Sequence, residues 1–124
     1  MDVFGTDHPT PNGTSIRDYI HVSDLVRAHC DALAYLRGGG ESVTLNCGYG
    51  RGFSVLDVID TVKRVSGIDF EVAFVGRRAG DPAQIVAASD RARDLLKWQP
   101  DFDNLQTIGC HALAWERKLL TRAG

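Results

Sequence analysis

The run Arg77-Arg78-Ala79-Gly80-Asp81-Pro82 concentrates the functional groups that a phosphorylated nucleoside needs. Guanidinium forks match phosphate oxygens in bidentate geometry, and an aspartate three residues after Arg78 can accept from the two hydroxyls of a ribose. A second cluster, Arg17-Asp18-Tyr19-Ile20-His21-Val22, adds an arginine at the head of an extended segment. Arg17 and Arg78 together would bring two positive charges to one diphosphate. Each cluster also has a plainer reading: Asp81 neutralising its neighbours in a solvated turn, and Arg17 paired with Asp18 beside a hydrogen-bonded structural His21.

Other chemistry finds no residues to carry it. A tyrosine base needs a lysine four positions later on the same helix face to lower its pKa. Tyr19, Tyr35 and Tyr49 are followed at that offset by Ser23, Gly39 and Phe53. Nucleophile-elbow, zinc-protease and P-loop patterns are missing too, so no catalytic residue is assigned. The loop Gly48-Tyr49-Gly50-Arg51-Gly52 imitates a dinucleotide fingerprint. Phe53 fills the position of its third glycine, and Glu71 falls at the wrong end of the next strand, so no cofactor residue is assigned either. His29-Cys30 and Cys110-His111 invite a zinc reading. Adjacent helical residues point about 100° apart, however, and the expectation is small buried cysteines with no metal site.

The elements that must carry the two arginine clusters follow from periodicity and caps. A short strand is expected at Asp2 to Phe4, then a turn-rich lead, then an extended segment from Ser15 to Val22. A helix begins near Ser23 or Asp24, with Leu25, Ala28, Ala32, Leu33 and Leu36 at helical spacing, and stops at Gly38-Gly39-Gly40. Val43, Leu45 and Cys47 alternate with polar residues as a strand does. Ser54 caps the next helix with Asp57 three residues on, Val55, Val58, Ile59, Val62 and Val65 form its apolar stripe, and Gly67 ends it. Phe70 to Val75 reads as a covered strand, Ile85 to Ala87 as a short one, and Ser89 as the cap of a helix through Leu96. The last helix runs from about Asp103 to Leu120, with Leu105, Ile108, Ala112, Trp115 and Leu119 on one face.

Composition narrows the partners. The chain has 124 residues, 44% of them hydrophobic, which suits one domain with one core. Acidic residues outnumber basic ones 16 to 14, which argues against nucleic acid. No apolar run approaches the roughly 20 residues of a membrane span. The opening residues lack signal-peptide features and the three cysteines form no close pair, so a cytoplasmic location is expected. The length falls short of a complete nicotinamide-dependent sugar-nucleotide enzyme, which needs a full doubly wound cofactor domain as well.

Three motifs then stop looking independent: Gly13-Thr14-Ser15-Ile16-Arg17-Asp18-Tyr19-Ile20-His21-Val22-Ser23-Asp24-Leu25, Asn46-Cys47-Gly48-Tyr49-Gly50-Arg51-Gly52-Phe53-Ser54-Val55, and the Arg77 to Pro82 loop. With the opening Val3-Phe4-Gly5-Thr6-Asp7-His8-Pro9-Thr10 and the tail from Trp98-Gln99-Pro100 to Trp115-Glu116, they closely resemble the C-terminal part of the UDP-glucose 4-epimerase family, extended short-chain dehydrogenase/reductases. The resemblance covers essentially the whole chain. It departs at His8, where tyrosine is usual, and at Asn12, where aspartate is usual.

That resemblance implies an α/β fold: the C-terminal substrate-binding portion of such an enzyme, with about four helices and three to four short strands, lacking the Rossmann cofactor core. Residues 1–124 would form a single UDP-sugar-binding domain. Arg17 and Arg78 would hold the diphosphate and Asp81 the ribose. In the family, a tyrosine takes the proton of the sugar 4-hydroxyl while hydride passes to tightly bound NAD, and the 4-keto sugar turns over and is reduced on its other face. UDP-glucose and UDP-galactose are the implied substrates. The N-terminal Rossmann half is the implied partner, a homodimer the implied assembly of the whole enzyme, and inactivity the expectation for this chain alone. Alternatives are a non-catalytic UDP-sugar-binding or interaction module, or the corresponding part of a nucleotide-sugar dehydratase or decarboxylase.

Overall fold

The computed structural model describes residues 1–122. Four helices and five short strands follow in the order β1 (Asp2–Phe4), β2 (Ile16–Arg17), α1 (Val22–Arg37), β3 (Phe53–Ser54), α2 (Val55–Ser66), β4 (Ala73–Val75), β5 (Gln84–Ile85), α3 (Asp90–Leu96) and α4 (Leu105–Arg122). Two small sheets result. β1 pairs parallel with β4, matching Phe4 to Val75. β2 is the centre of the other, antiparallel to β3 and parallel to β5, so that Arg17 lies between Phe53 and Ile85.

Local chemistry explains the helix ends. Ser54 accepts from the Asp57 amide at 3.1 Å while the Asp57 carboxylate accepts from the Ser54 amide at 2.9 Å, a reciprocal capping box that satisfies two otherwise orphaned donors. α2 ends at Gly67, whose φ of 70° suits a residue without Cβ. α1 starts one turn position earlier than Ser23 or Asp24 would give. Its cap is His21, whose Nδ1 accepts from the Ser23 amide at 3.0 Å. An imidazole nitrogen with a free lone pair can do what a serine oxygen does at this position.

The core is small and centred on a charge. Ala28, Tyr49, Ala92 and Trp98 form its buried cluster, with Ile20, Leu45, Cys47, Leu96 and Ile108 packed around it. Asp24 sits within it at 1% exposure. Its carboxylate accepts from the Tyr49 hydroxyl at 2.6 Å and from the amides of Asp101 and Phe102, both at 2.9 Å, while its carbonyl accepts from the Trp98 indole at 3.0 Å. One acidic side chain thus fastens α1 to the 48–52 loop and to the chain entering α4.

Several expectations change. Ser89 precedes α3, but its buried hydroxyl makes no capping hydrogen bond. Val43, Leu45 and Cys47 do point inward in alternation with exposed Thr44 and Asn46, but 41–47 pairs with no strand among the described residues. Phe70 to Val75 shortens to β4 and is exposed, with Phe74 at 59%, because among the described residues its sheet has two strands and their outer face is left open. Cys30 and Cys110 are exposed rather than buried, as are the adjacent His29 and His111, so both pairs lie on outward parts of their helices, and Cys47 is half-buried.

Gly48 is required by close approach. A Cβ there would stand 2.6 Å from both Ala87 Cβ and Asp18 Oδ2. Gly48→Ala should therefore cost roughly 1–3 kcal/mol by overpacking, read as a lowered urea midpoint at unchanged slope. An unaltered midpoint would mean the loop shifts freely.

Candidate functional site

Arg17 leaves the central strand β2 and forms an ion pair with Asp81, both side chains about three-quarters buried. Its other terminal nitrogen donates to the Ile16 carbonyl at 2.7 Å, which pins the fork near the strand. Asp81 reaches it because the 76–82 loop turns at Gly80, where φ is 78° and the Asp81 amide donates to the Arg78 carbonyl at 3.3 Å.

Arg78 belongs to the same turn but points elsewhere. Its guanidinium lies 3.5 Å from the centroid of the Phe4 ring, a cation on the negative face of an aromatic. Register produces this meeting: Phe4 faces Val75 across the parallel ladder, and the chain leaving β4 carries Arg78 past it. Sequence reasoning missed Phe4 as a site residue, since nothing in spacing reveals a partner in another strand. Arg77 is spent on Asp7, its Nε donating to Oδ1 at 2.6 Å at the surface, and that bond holds the Asp7 carboxyl below its ordinary range.

The uncovered edge of β1 completes the surroundings. The Ala73 amide donates to the Met1 carbonyl at 2.8 Å and the Gly5 amide to the Val75 carbonyl at 2.9 Å. Alternation along a ladder then turns the backbone N–H and C=O of Asp2 and Phe4 away from β4. Beside Arg78 there are thus two donors and two acceptors without a strand partner among the described residues.

Asp18 pairs with neither arginine. Its carboxylate accepts from the amides of Tyr49 and Gly50, both at 3.0 Å, and of Ala87 at 3.2 Å, joining the 17–22 segment to the glycine loop and to the chain that follows β5. His21 is equally occupied. Its backbone amide donates to the Tyr49 hydroxyl at 3.0 Å, its ring stacks on Phe102 at 4.5 Å, and its Nε2 meets His111 Nδ1 at 2.9 Å. With Nδ1 already accepting, Nε2 carries the proton and donates. Tyr49 is no base: burial and its bond to Asp24 push the phenol far above its ordinary value. Burial also raises Tyr19, against a smaller opposite pull from Arg17.

No family model matches the chain. A curated UDP-glucose 4-epimerase of Azospirillum brasilense is 54% identical over 124 residues, all of this chain and 36% of that protein. The chain matches the C-terminal part of UDP-glucose 4-epimerases. Solved epimerases agree in fold. The UDP-Glc/GlcNAc 4-epimerase of Campylobacter jejuni superposes with a TM-score of 0.86 at 47% identity, over 95% of this chain and 36% of its own. The UDP-glucose 4-epimerase of Stenotrophomonas maltophila, solved with NAD and formylated UDP-arabinopyranose, gives 0.89 at 39% identity, over 100% of this chain and 36% of its own. This chain therefore spans little more than a third of the epimerases it matches, and its fold is the α/β C-terminal portion of an extended short-chain dehydrogenase/reductase.

The glycine loop does not suit the NAD seen in that epimerase relative. Gly48 is filled by Asp18 and Ala87, and a Cβ on Gly52 would collide with Ile16 and press on Val86. These glycines accommodate the chain's own β2 and its neighbours rather than a pyrophosphate, and among the described residues the strand beside them, β3, pairs antiparallel with β2.

Proposed function

We propose that residues 1–124 form a single domain that holds the UDP moiety of a UDP-sugar, and that it works as part of a UDP-glucose 4-epimerase interconverting UDP-glucose and UDP-galactose. The observation that carries this reading is the meeting of Arg17 with Asp81, residues 64 positions apart, beside Arg78 in the same turn. Arg17 and Arg78 would take the diphosphate oxygens, and Asp81 the ribose hydroxyls. The free donors and acceptors of Phe4 and Asp2 offer a planar base the hydrogen bonds of a strand edge.

Hydride transfer lies outside this chain. NAD would supply it from an N-terminal Rossmann half, and two features suit such a partner. Segment 41–47 keeps strand-like alternation without a partner strand among the described residues, and α1 exposes Val22, Val26, Leu33 and Leu36. An open groove of about 340 Å³ runs between them, lined by Leu25, Ala28, Tyr35, Val43, Leu45 and Leu96. Apolar surface of this kind seeks cover. No helix of the described residues is long and apolar enough to cross a membrane, and three free cysteines suit a cytoplasmic setting.

Titration calorimetry with UDP, paired with a coupled assay on UDP-galactose plus NAD, tests the reading. Saturable UDP binding without turnover is expected. Turnover by the pure chain would overturn the division of labour, and failure to bind UDP would overturn the assignment of the site.

A further inference from the structure

Asp81 already has a partner in this structure, and that partner is the arginine assigned to the diphosphate. The Arg17–Asp81 pair is three-quarters buried on both sides, so it is screened less than a surface pair. Arg78 does not share the carboxylate, because its guanidinium rests on Phe4. We infer, building on the nucleotide reading above, that Asp81 couples ribose recognition to diphosphate recognition and so makes the site select nucleoside diphosphates over free anions.

The coupling follows from an exchange of partners. An anion without a ribose must compete with the Asp81 carboxylate for the Arg17 fork. A nucleoside diphosphate brings two hydroxyls to Asp81 and an anionic chain to Arg17 at once, so neither charge is left unpaired when the ion pair opens. Losing a partner is costly for a partly buried charge, whereas trading one is not. The turn favours the trade. The Arg78–Asp81 backbone bond fixes the position of Asp81, leaving only its side chain to rotate.

Linkage supplies a test that a general charge effect does not pass: if Asp81 joins the two subsites, ligands of each must help the other, reciprocally. Pyrophosphate is titrated into the 124-residue chain by calorimetry, with and without saturating uridine, for wild type, Asp81→Asn and Arg17→Gln. In wild type, uridine should raise pyrophosphate affinity about five-fold, the scale of one partly exposed ion pair. Asp81→Asn should bind pyrophosphate about five-fold more tightly from the start and gain nothing from uridine. Uridine without effect on wild type, or unchanged pyrophosphate affinity in Asp81→Asn, would overturn the coupling. Arg17→Gln keeps the two questions apart. If it weakens UDP while the Asp81 tests fail, the nucleotide site stands without the coupling; if it leaves UDP affinity unchanged, the nucleotide assignment itself fails and takes the coupling with it.

Discussion

Asp24→Ala is expected to remove roughly 3–5 kcal/mol of stability, the range for stranding the partners of a buried charge. The carboxylate is almost fully enclosed, and alanine would leave the Tyr49 hydroxyl and the amides of Asp101 and Phe102 without an acceptor. The damage spreads, because Tyr49 also accepts from the His21 amide at the residue that caps α1. A domain of this size has roughly 5–15 kcal/mol in total, so urea unfolding should show a large fraction of it gone. Asp24→Asn should lose less, since its amide oxygen still accepts from one or two of the donors. A loss below about 1 kcal/mol in the alanine variant would mean that water replaces the carboxylate.

Acid should expose the same dependence. Burial raises the Asp24 carboxyl, but the hydrogen bonds from Tyr49, Asp101 and Phe102 outweigh it, and the group titrates below its ordinary value of 3.8. As pH falls, the unfolded chain therefore takes up this proton before the folded one does. Stability from Asp24 is present in full above the unfolded value and disappears as pH drops through the lower folded value. The difference between wild type and Asp24→Asn should accordingly shrink below pH 3.8. A difference that stays constant there would assign acid unfolding to other carboxylates.

Local signals were legible in the sequence, and long-range ones were not. The Ser54 and Asp57 box and the Gly67 stop depend on residues within one turn of each other, so their types and spacing suffice. The Arg17 and Asp81 pairing depends on β2 and β5 lying side by side, which spacing does not encode. Family resemblance put both residues at one site where spacing alone favoured a solvated turn. Phe4 escaped because its role comes from a ladder register. Asp24 escaped for a similar reason: in the sequence it reads as a candidate helix cap, and only the return of the chain at 98–102 encloses it. The cap at His21 was missed because histidine is an uncommon choice there.

The errors about strands have one physical origin. Alternation in 43–47 and the apolar run at 70–75 are patterns that a covered sheet imposes on a sequence. The described residues include no partner for the first segment and leave Phe74 and Val75 exposed in the second. Pattern and accessibility therefore disagree at these places, whereas they agree along α2.

Arg17→Ala is expected to weaken UDP binding about 10- to 100-fold, the loss of one or two charge-assisted hydrogen bonds to a diphosphate. Stability should fall too, by about 1 kcal/mol, because the partly buried Asp81 loses its ion-pair partner. Arg17→Lys separates charge from shape. An ammonium keeps the attraction but cannot present two parallel donors, so it should recover only part of the affinity. Arg77→Ala is the matched control: it removes the neighbouring guanidinium of the same loop, one already engaged by Asp7 at the surface, and should leave UDP affinity near wild type at fixed ionic strength. Equal losses in Arg17→Ala and Arg77→Ala would reduce the site to a diffuse positive field. Only a loss confined to Arg17 makes the three-quarters-buried fork on β2, held in place by its own strand, the group that reads the phosphates.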